Sequence, residues 1–155
     1  MLYLSIAGFV TLCVYIVTMA MLHGVQEYVS DNFYVAYNKW LFSVVMVFAG
    51  FSFLPYMMEL SECLGIFALL TSCGLILVGL EPHYKTDIGF LPHNIGAYTA
   101  LIAGTIYSLV LNPLPYLCTL AVFGLVAATS YGRKHLFYFG ECFAIVGICL
   151  SVLLA

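Results

Sequence analysis

Polar and apolar residues are segregated into long blocks along this chain. Residues 1–22, 40–58, 63–80, 94–132 and 142–155 contain no Asp, Glu, Lys, Arg or His. A helix that crosses the hydrocarbon core of a bilayer needs about 20 mostly apolar residues, with about 17–25 workable. The block 94–132 is about twice that length, and "LNPLP" at 111–115 divides it. Two prolines so spaced end one helix and open another. The pattern therefore predicts six helices, about 1–22, 39–58, 62–80, 92–111, 114–131 and 135–154. The expected fold is all-α, a polytopic six-helix transmembrane bundle that forms one domain over 1–155. The first block is too long and too poor in basic residues for a secretory leader.

Composition agrees. The chain is 65% hydrophobic and 7% charged, with a mean hydropathy of +1.12, whereas soluble domains run at about 45–50% apolar and 25% charged. Four basic residues cannot make a nucleic-acid footprint, so no nucleic-acid partner is expected. The six cysteines fall inside predicted helices without a CxxC pair. They read as small buried hydrophobes rather than as disulfides or thiolate ligands.

Charge sets an expected orientation. An even number of helices puts both termini on one side. Lys39, Lys85, Arg133 and Lys134 then all lie on the opposite side. Short loops rich in Lys and Arg stay in the cytoplasm, so those loops are expected to be cytoplasmic and both termini non-cytoplasmic. The expected location is a bacterial inner membrane, with membrane lipids as partners. Tyr28, Tyr34, Tyr37 and Trp40 read as an interfacial aromatic belt.

Within this apolar chain, "GLEPHYKTDIGFLPHNIGA" (79–97) stands out for Glu81, His83, Lys85, Asp87 and His93. Topology alone accounts for Lys85. His93 follows Pro92, which suits a first helical position, so His93 is expected in the first turn of the fourth helix with Asp87 folding back toward it. Glu141 is expected about 9 Å inside the last helix, six residues past His135 at 1.5 Å per residue. An ionisable group at that depth faces a partner or a watery cavity; His93, His23, Lys134 or a tyrosine hydroxyl are the expected partners. Candidate binding residues are His93, Asp87, His83, Ser30, Asp31, Glu141 and His23. Asp87, His93 and Glu141 are the candidates for chemistry.

Imidazoles with a carboxylate also suit Zn²⁺, and three protein ligands with an open position define a catalytic zinc. His93, His83, Asp87 and His135 are the candidate ligands, although no HxxxH or HExxH pair is present. The competing reading takes the histidines as interfacial and Glu141 as a hydrogen bond that locks two helices. Gly96, Ala100 and Gly104 recur every four residues, and Gly140, Ala144 and Gly147 line up similarly. Such spacing lets backbones approach closely, within one chain, between copies of a homo-oligomer or against partner helices.

The run "LVGLEPHYKTDIGFLPHNIGA" and the earlier "SDNFY" (30–34) resemble bacterial six-helix membrane proteins of a large domain-of-unknown-function group. That group is related to the fibroblast-growth-factor-receptor-activating-protein and damage-regulated-autophagy-modulator families. The resemblance spans roughly 28–104 and implies a six-helix α-bundle. A more distant similarity is to the alkaline ceramidase and progestin-type receptor superfamily, which implies a histidine-held zinc with Ser30, Asp31, Asp87 and His93 as candidates. This chain departs from that superfamily in lacking the paired HxxxH and one helix.

Three functions are therefore carried forward. The leading one is a multi-pass protein that binds a lipid, small molecule or partner helix through the polar His/Asp/Glu cluster, with no cofactor. The second is a zinc-dependent hydrolase of a lipid-like amide or ester. The third is a small transporter or channel, which the absence of helices broken at mid-membrane disfavours.

Overall fold

The structure, a computed structural model, describes the backbone of all 155 residues and every side chain except that of Asp87. The element order is α1 (Leu2–His23), α2 (Asn32–Val35), α3 (Trp40–Leu60), α4 (Gly65–Leu80), α5 (Asp87–Leu111), α6 (Pro113–Ala128), α7 (Ser130–Lys134) and α8 (Leu136–Leu153). Single 3₁₀ turns at Val29–Asp31 and Glu62–Leu64 precede α2 and α4. The described residues contain no strand.

Five segments are long and apolar enough to cross a membrane: Leu2–His23, Trp40–Leu60, Glu62–Leu80, Ile88–Leu111 and Leu136–Leu153. The fifth expected span is shorter than 114–131. Helix α6 has 16 residues, about 24 Å at 1.5 Å per residue, and it stops at Thr129. There the Thr129 hydroxyl accepts from Gly132 N at 2.9 Å and caps the short α7.

The long helices pack in the order α1, α3, α4, α5, α8, with α8 returning to α1. This makes a ring of five. Helix α6 lies outside it, against α8 and α5. All five ring helices contribute to a small apolar cavity at the centre, through residues such as Leu12, Phe53, Leu75, Leu101 and Ile148. The outer faces are apolar as well; Val10, Val14 and Val17 of α1 are exposed. The inner contacts carry small polar residues instead. Ser5, Ser52, Ser72, Ser108 and Ser151 are buried, and the Ser5 hydroxyl donates to the Ser52 carbonyl at 2.9 Å. In lipid the helices gain little from hiding apolar surface, so close packing of small residues holds them together. The same reasoning corrects the cysteine expectation. Cys63, Cys73 and Cys118 face outward, where a thiol meets lipid without cost.

The expected small-residue seams are used within the chain. A Cβ on Gly74 of α4 would lie 2.6 Å from the Gly96 carbonyl oxygen and 2.7 Å from the Ala100 nitrogen of α5. Gly104 meets Ile148 and Thr71, and Gly147 of α8 lies against Thr119 and Tyr116 of α6.

Contacts at the two ends fix how the chain runs. The N-terminal ammonium lies 3.9 Å from Glu59 at the end of α3. Asn112, between α5 and α6, donates to the Leu154 carbonyl at 3.2 Å. At the other end, His135 Nδ1 lies 3.1 Å from the Gln26 carbonyl oxygen. Helix α6 therefore starts near the chain's C-terminus and finishes near the α1–α3 connection.

A Gly74→Ala variant should lose about 1–3 kcal/mol, the usual cost of overpacking, because the two nearest atoms, the Gly96 carbonyl oxygen and the Ala100 nitrogen, are backbone and cannot rotate away. Gly124→Ala, with open space around the new methyl, should be neutral or gain up to about 1 kcal/mol. Unfolding in mild detergent followed by circular dichroism measures both. Equal effects of the two substitutions would mean that the α4–α5 seam is not tight.

Candidate functional site

The site is built on residues 24–39, which follow α1. Gly24 ends that helix at φ 78°, a left-handed conformation that glycine adopts freely. The chain then turns back into the end of the bundle instead of forming a wet loop. Val29, Asp31, Asn32 and Phe33 are buried. The expected aromatic belt is only half formed. Tyr37 and Trp40 are fully or largely exposed. Tyr28 stacks on Phe137 at 5.3 Å, and the Tyr34 hydroxyl accepts from Lys85 N at 2.9 Å. These contacts draw the two rings inward.

Three consecutive residues reach three different elements. Val29 N–H donates to Glu141 Oε2 of α8 at 2.8 Å. Ser30 Oγ lies 2.9 Å from His93 Nε2 of α5. Asp31 accepts from the Tyr84 hydroxyl at 2.5 Å and pairs with Lys85 Nζ at 2.5 Å, both in the α4–α5 connection. Tyr28 N–H adds a longer bond to the same carboxylate, at 3.3 Å.

His93 is 2% exposed. Its Nδ1 lies 2.8 Å from the Glu81 carbonyl oxygen. A carbonyl can only accept, so Nδ1 carries the proton of the neutral ring. Nε2 then offers its lone pair to the Ser30 hydroxyl, which donates. The Tyr84 ring covers the imidazole at 4.7 Å between centroids and 23° between planes.

The structure corrects how His93 reaches this place. Helix α5 starts at Asp87, not at Pro92, because the Thr86 hydroxyl accepts from Gly89 N at 3.2 Å and caps it there. Pro92 lies inside the helix, and His93 is one turn further in than expected. Glu141 also differs from expectation. Its bonded partner is the backbone N–H of Val29, not a histidine, Lys134 or a tyrosine. The expected approach of Asp87 to His93 lies outside the described residues.

The other candidates are dispersed. The His83 ring packs edge-on against Phe33 at 4.8 Å, beside a separate cavity lined by Lys39 and Trp40. His23 is exposed at the end of α1. His135 meets Gln26 and the ring of Tyr131 at 4.9 Å. Among the described residues, no three His, Cys, Asp or Glu side chains are grouped so as to hold a metal ion. Sequence reasoning missed Tyr84 and the Glu81 carbonyl. The first carried no signal beyond an interfacial tyrosine, and the second is backbone.

Beside the Ser30–His93 pair lies a cavity of about 370 Å³, within the range of about 300–1,000 Å³ typical of ligand pockets. Its polar lining includes Ser30, His93, Asn94, Tyr98 and Glu141. No Lys or Arg is among its described lining residues. Phe90 and Tyr98, at its edge, are exposed on the outer face of α5. Ser30, Ala97, Leu101 and Glu141 also line a smaller apolar cavity further in, and that one shares Leu75, Ala100, Leu101 and Ile145 with the cavity at the ring's centre.

Charge at the site is arranged around Asp31. Burial alone would raise its carboxyl, but the bonds from Lys85 and Tyr84 outweigh that and hold it below the ordinary carboxylate value. The bond to Asp31 holds the Lys85 ammonium above its ordinary value. Burial first, and then the bond to Asp31, raise the Tyr84 hydroxyl.

Comparison with models of known protein families, with curated proteins and with solved structures finds no match.

Removing the Asp31 charge should be far costlier than removing its partner's. Asp31→Asn weakens several bonds at a buried group and should cost about 1–3 kcal/mol. Lys85 is largely exposed, and Lys85→Ala should cost at most about 1 kcal/mol. Because the Asp31 value is depressed on folding, its contribution is present above the unfolded value of about 3.9 and is lost as pH falls through the lower folded value. Wild-type stability should therefore converge on that of Asp31→Asn below about pH 4, as measured by unfolding in detergent at a series of pH values.

Proposed function

We propose that this is a multi-pass integral membrane protein that binds an uncharged single-chain lipid between α5, α8 and residues 28–31. The observation that carries this reading is a polar cavity of about 370 Å³ at the end of the bundle, edged by the exposed rings of Phe90 and Tyr98. A hydroxylated headgroup suits this cavity, and an acyl chain suits the apolar outer face of α5 beside it, where Ile95 and Ile102 are exposed; the two apolar cavities further in, about 50 and 30 Å³, are too small for a chain. The lining favours an uncharged head because no Lys or Arg is among its described residues to pair with a phosphate.

The same proposal includes six membrane passes, with α6 as the short sixth, and both termini on the non-cytoplasmic side. The contacts of Met1 with Glu59 and of Asn112 with Leu154 support a common end for the termini. Lys39, Lys85, Arg133 and Lys134 at the opposite end support a cytoplasmic site.

The test is binding of a monoacylglycerol carrying a fluorescent acyl chain, titrated into protein in detergent. Ala97 lines the polar cavity, so Ala97→Phe should take up space there and weaken binding at least tenfold, a change of about 1.4 kcal/mol. Unchanged affinity in a folded Ala97→Phe protein would sink the reading.

A further inference from the structure

We propose that Ser30 and His93 are a nucleophile and its general base, and that the protein hydrolyses a long-chain ester of an uncharged, hydroxylated alcohol. The substrate class rests on the lipid-binding reading above. The nucleophile rests on separate observations.

The first is proton placement. With Nδ1–H donated to the Glu81 carbonyl at 2.8 Å, the lone pair of Nε2 faces Ser30 Oγ at 2.9 Å. This is the contact by which an imidazole activates a serine hydroxyl, with a third group orienting the ring. The second is immobilisation. His93 is buried under the Tyr84 ring, and the residues on both sides of Ser30 are tied to α8 and to the α4–α5 connection. A site must be held this closely to react. The third is access. Ser30 and His93 both line the 370 Å³ cavity, so a substrate carbonyl can reach the hydroxyl. A hydrogen bond that served only to join two helices would not need that space.

The reaction balances without a metal. Ser30 Oγ attacks the acyl carbonyl carbon, and its proton passes to His93 Nε2. The ester C–O bond breaks, and His93 returns the proton to the departing alcohol oxygen. Water then attacks the acyl-serine, again giving a proton to Nε2. The fatty acid leaves as Ser30 Oγ takes that proton back. The Asn94 carboxamide lines the same cavity and supplies an N–H donor for the oxyanion. The imidazolium that forms at each step lies against the face of Tyr84, whose hydroxyl is bonded to the Asp31 carboxylate. A cation over such a ring is stabilised by its π-face.

The experiment uses the full chain in mild detergent with an alkyl fluorophosphonate, a reagent that phosphonylates activated serines. The expected result is one adduct, mapped by mass spectrometry to Ser30. Ser30→Ala should lose it. His93→Gln should slow labelling by at least about 100-fold, the usual lower bound for a general base. If the glutamine variant does not fold, His93→Ala labelled with and without added imidazole decides the role of His93: added imidazole should restore labelling. No adduct at Ser30 in a protein that binds the lipid would overturn the activity and leave the binding site standing. Neither adduct nor lipid binding in a folded protein would overturn both. Labelling of a folded His93→Gln protein at the wild-type rate would remove His93 as the base.

Discussion

The arrangement of this bundle depends on three adjacent residues that bond in three directions. Val29 holds α8 through Glu141, Ser30 holds α5 through His93, and Asp31 holds the α4–α5 connection through Tyr84 and Lys85. A 3₁₀ turn makes this possible: the N–H of Val29, at its first position, has no partner inside the turn and is left for Glu141, and the tight winding sends the Ser30 and Asp31 side chains about 120° apart. Without that clasp, α8 and α5 would be joined by a hydrogen bond only at their far ends, from Asn112 to the Leu154 carbonyl, with chiefly apolar contacts between. Such contacts discriminate poorly among rotations of a helix in lipid, whereas hydrogen bonds between buried groups fix one rotation.

The clasp also accounts for where the polar groups stand. Ionisable side chains in the bilayer interior cost about 2.5–3.5 kcal/mol each at the helix centre, so a polar site is best placed at the end of a ring of apolar helices. Here residues 28–36 fold over that end and bury Val29 and Phe33 against it. Glu141, six residues into α8, is the deepest charged residue at the clasp, and it is the one that receives a backbone N–H. The ring below is left with an apolar lining and a little empty space. Helix α6 contributes nothing to that lining; its role is to return the chain to the end where α8 must begin.

Much of the helical pattern was legible because bilayer thickness imposes a length on every crossing. The break at "LNPLP" and the limits of α1, α3 and α4 follow from that rule alone. The start of α5 was misplaced because Pro92 looked like a first-turn residue, while the Thr86 cap five positions before Leu91 was overlooked. Of the site, His93, Ser30, Asp31 and Glu141 were recognisable as polar residues out of place in an apolar chain. Their pairing was not. Ser30 and His93 are 63 positions apart, and the bond partners of His93 Nδ1 and of Glu141 are backbone atoms, which carry no residue signature. Only the folding of 24–39 back into the bundle brings them together, and a loop's path leaves little trace in hydropathy.

The outward edge of the polar chamber has a consequence for traffic through it. Phe90 and Tyr98 sit on the outer face of α5, one turn before and just over one turn after His93. On the lipid-binding proposal, a molecule that enters between them comes from the lipid rather than from water. A water-soluble ligand would have to leave its hydration shell at that apolar rim. An amphiphile would lose little: its chain would stay against the apolar outer face of α5, and its head would meet the hydroxyl, amide and carboxyl groups of the cavity. Rim and lining therefore favour the same class of molecule under that proposal, whatever the Ser30–His93 pair does to it.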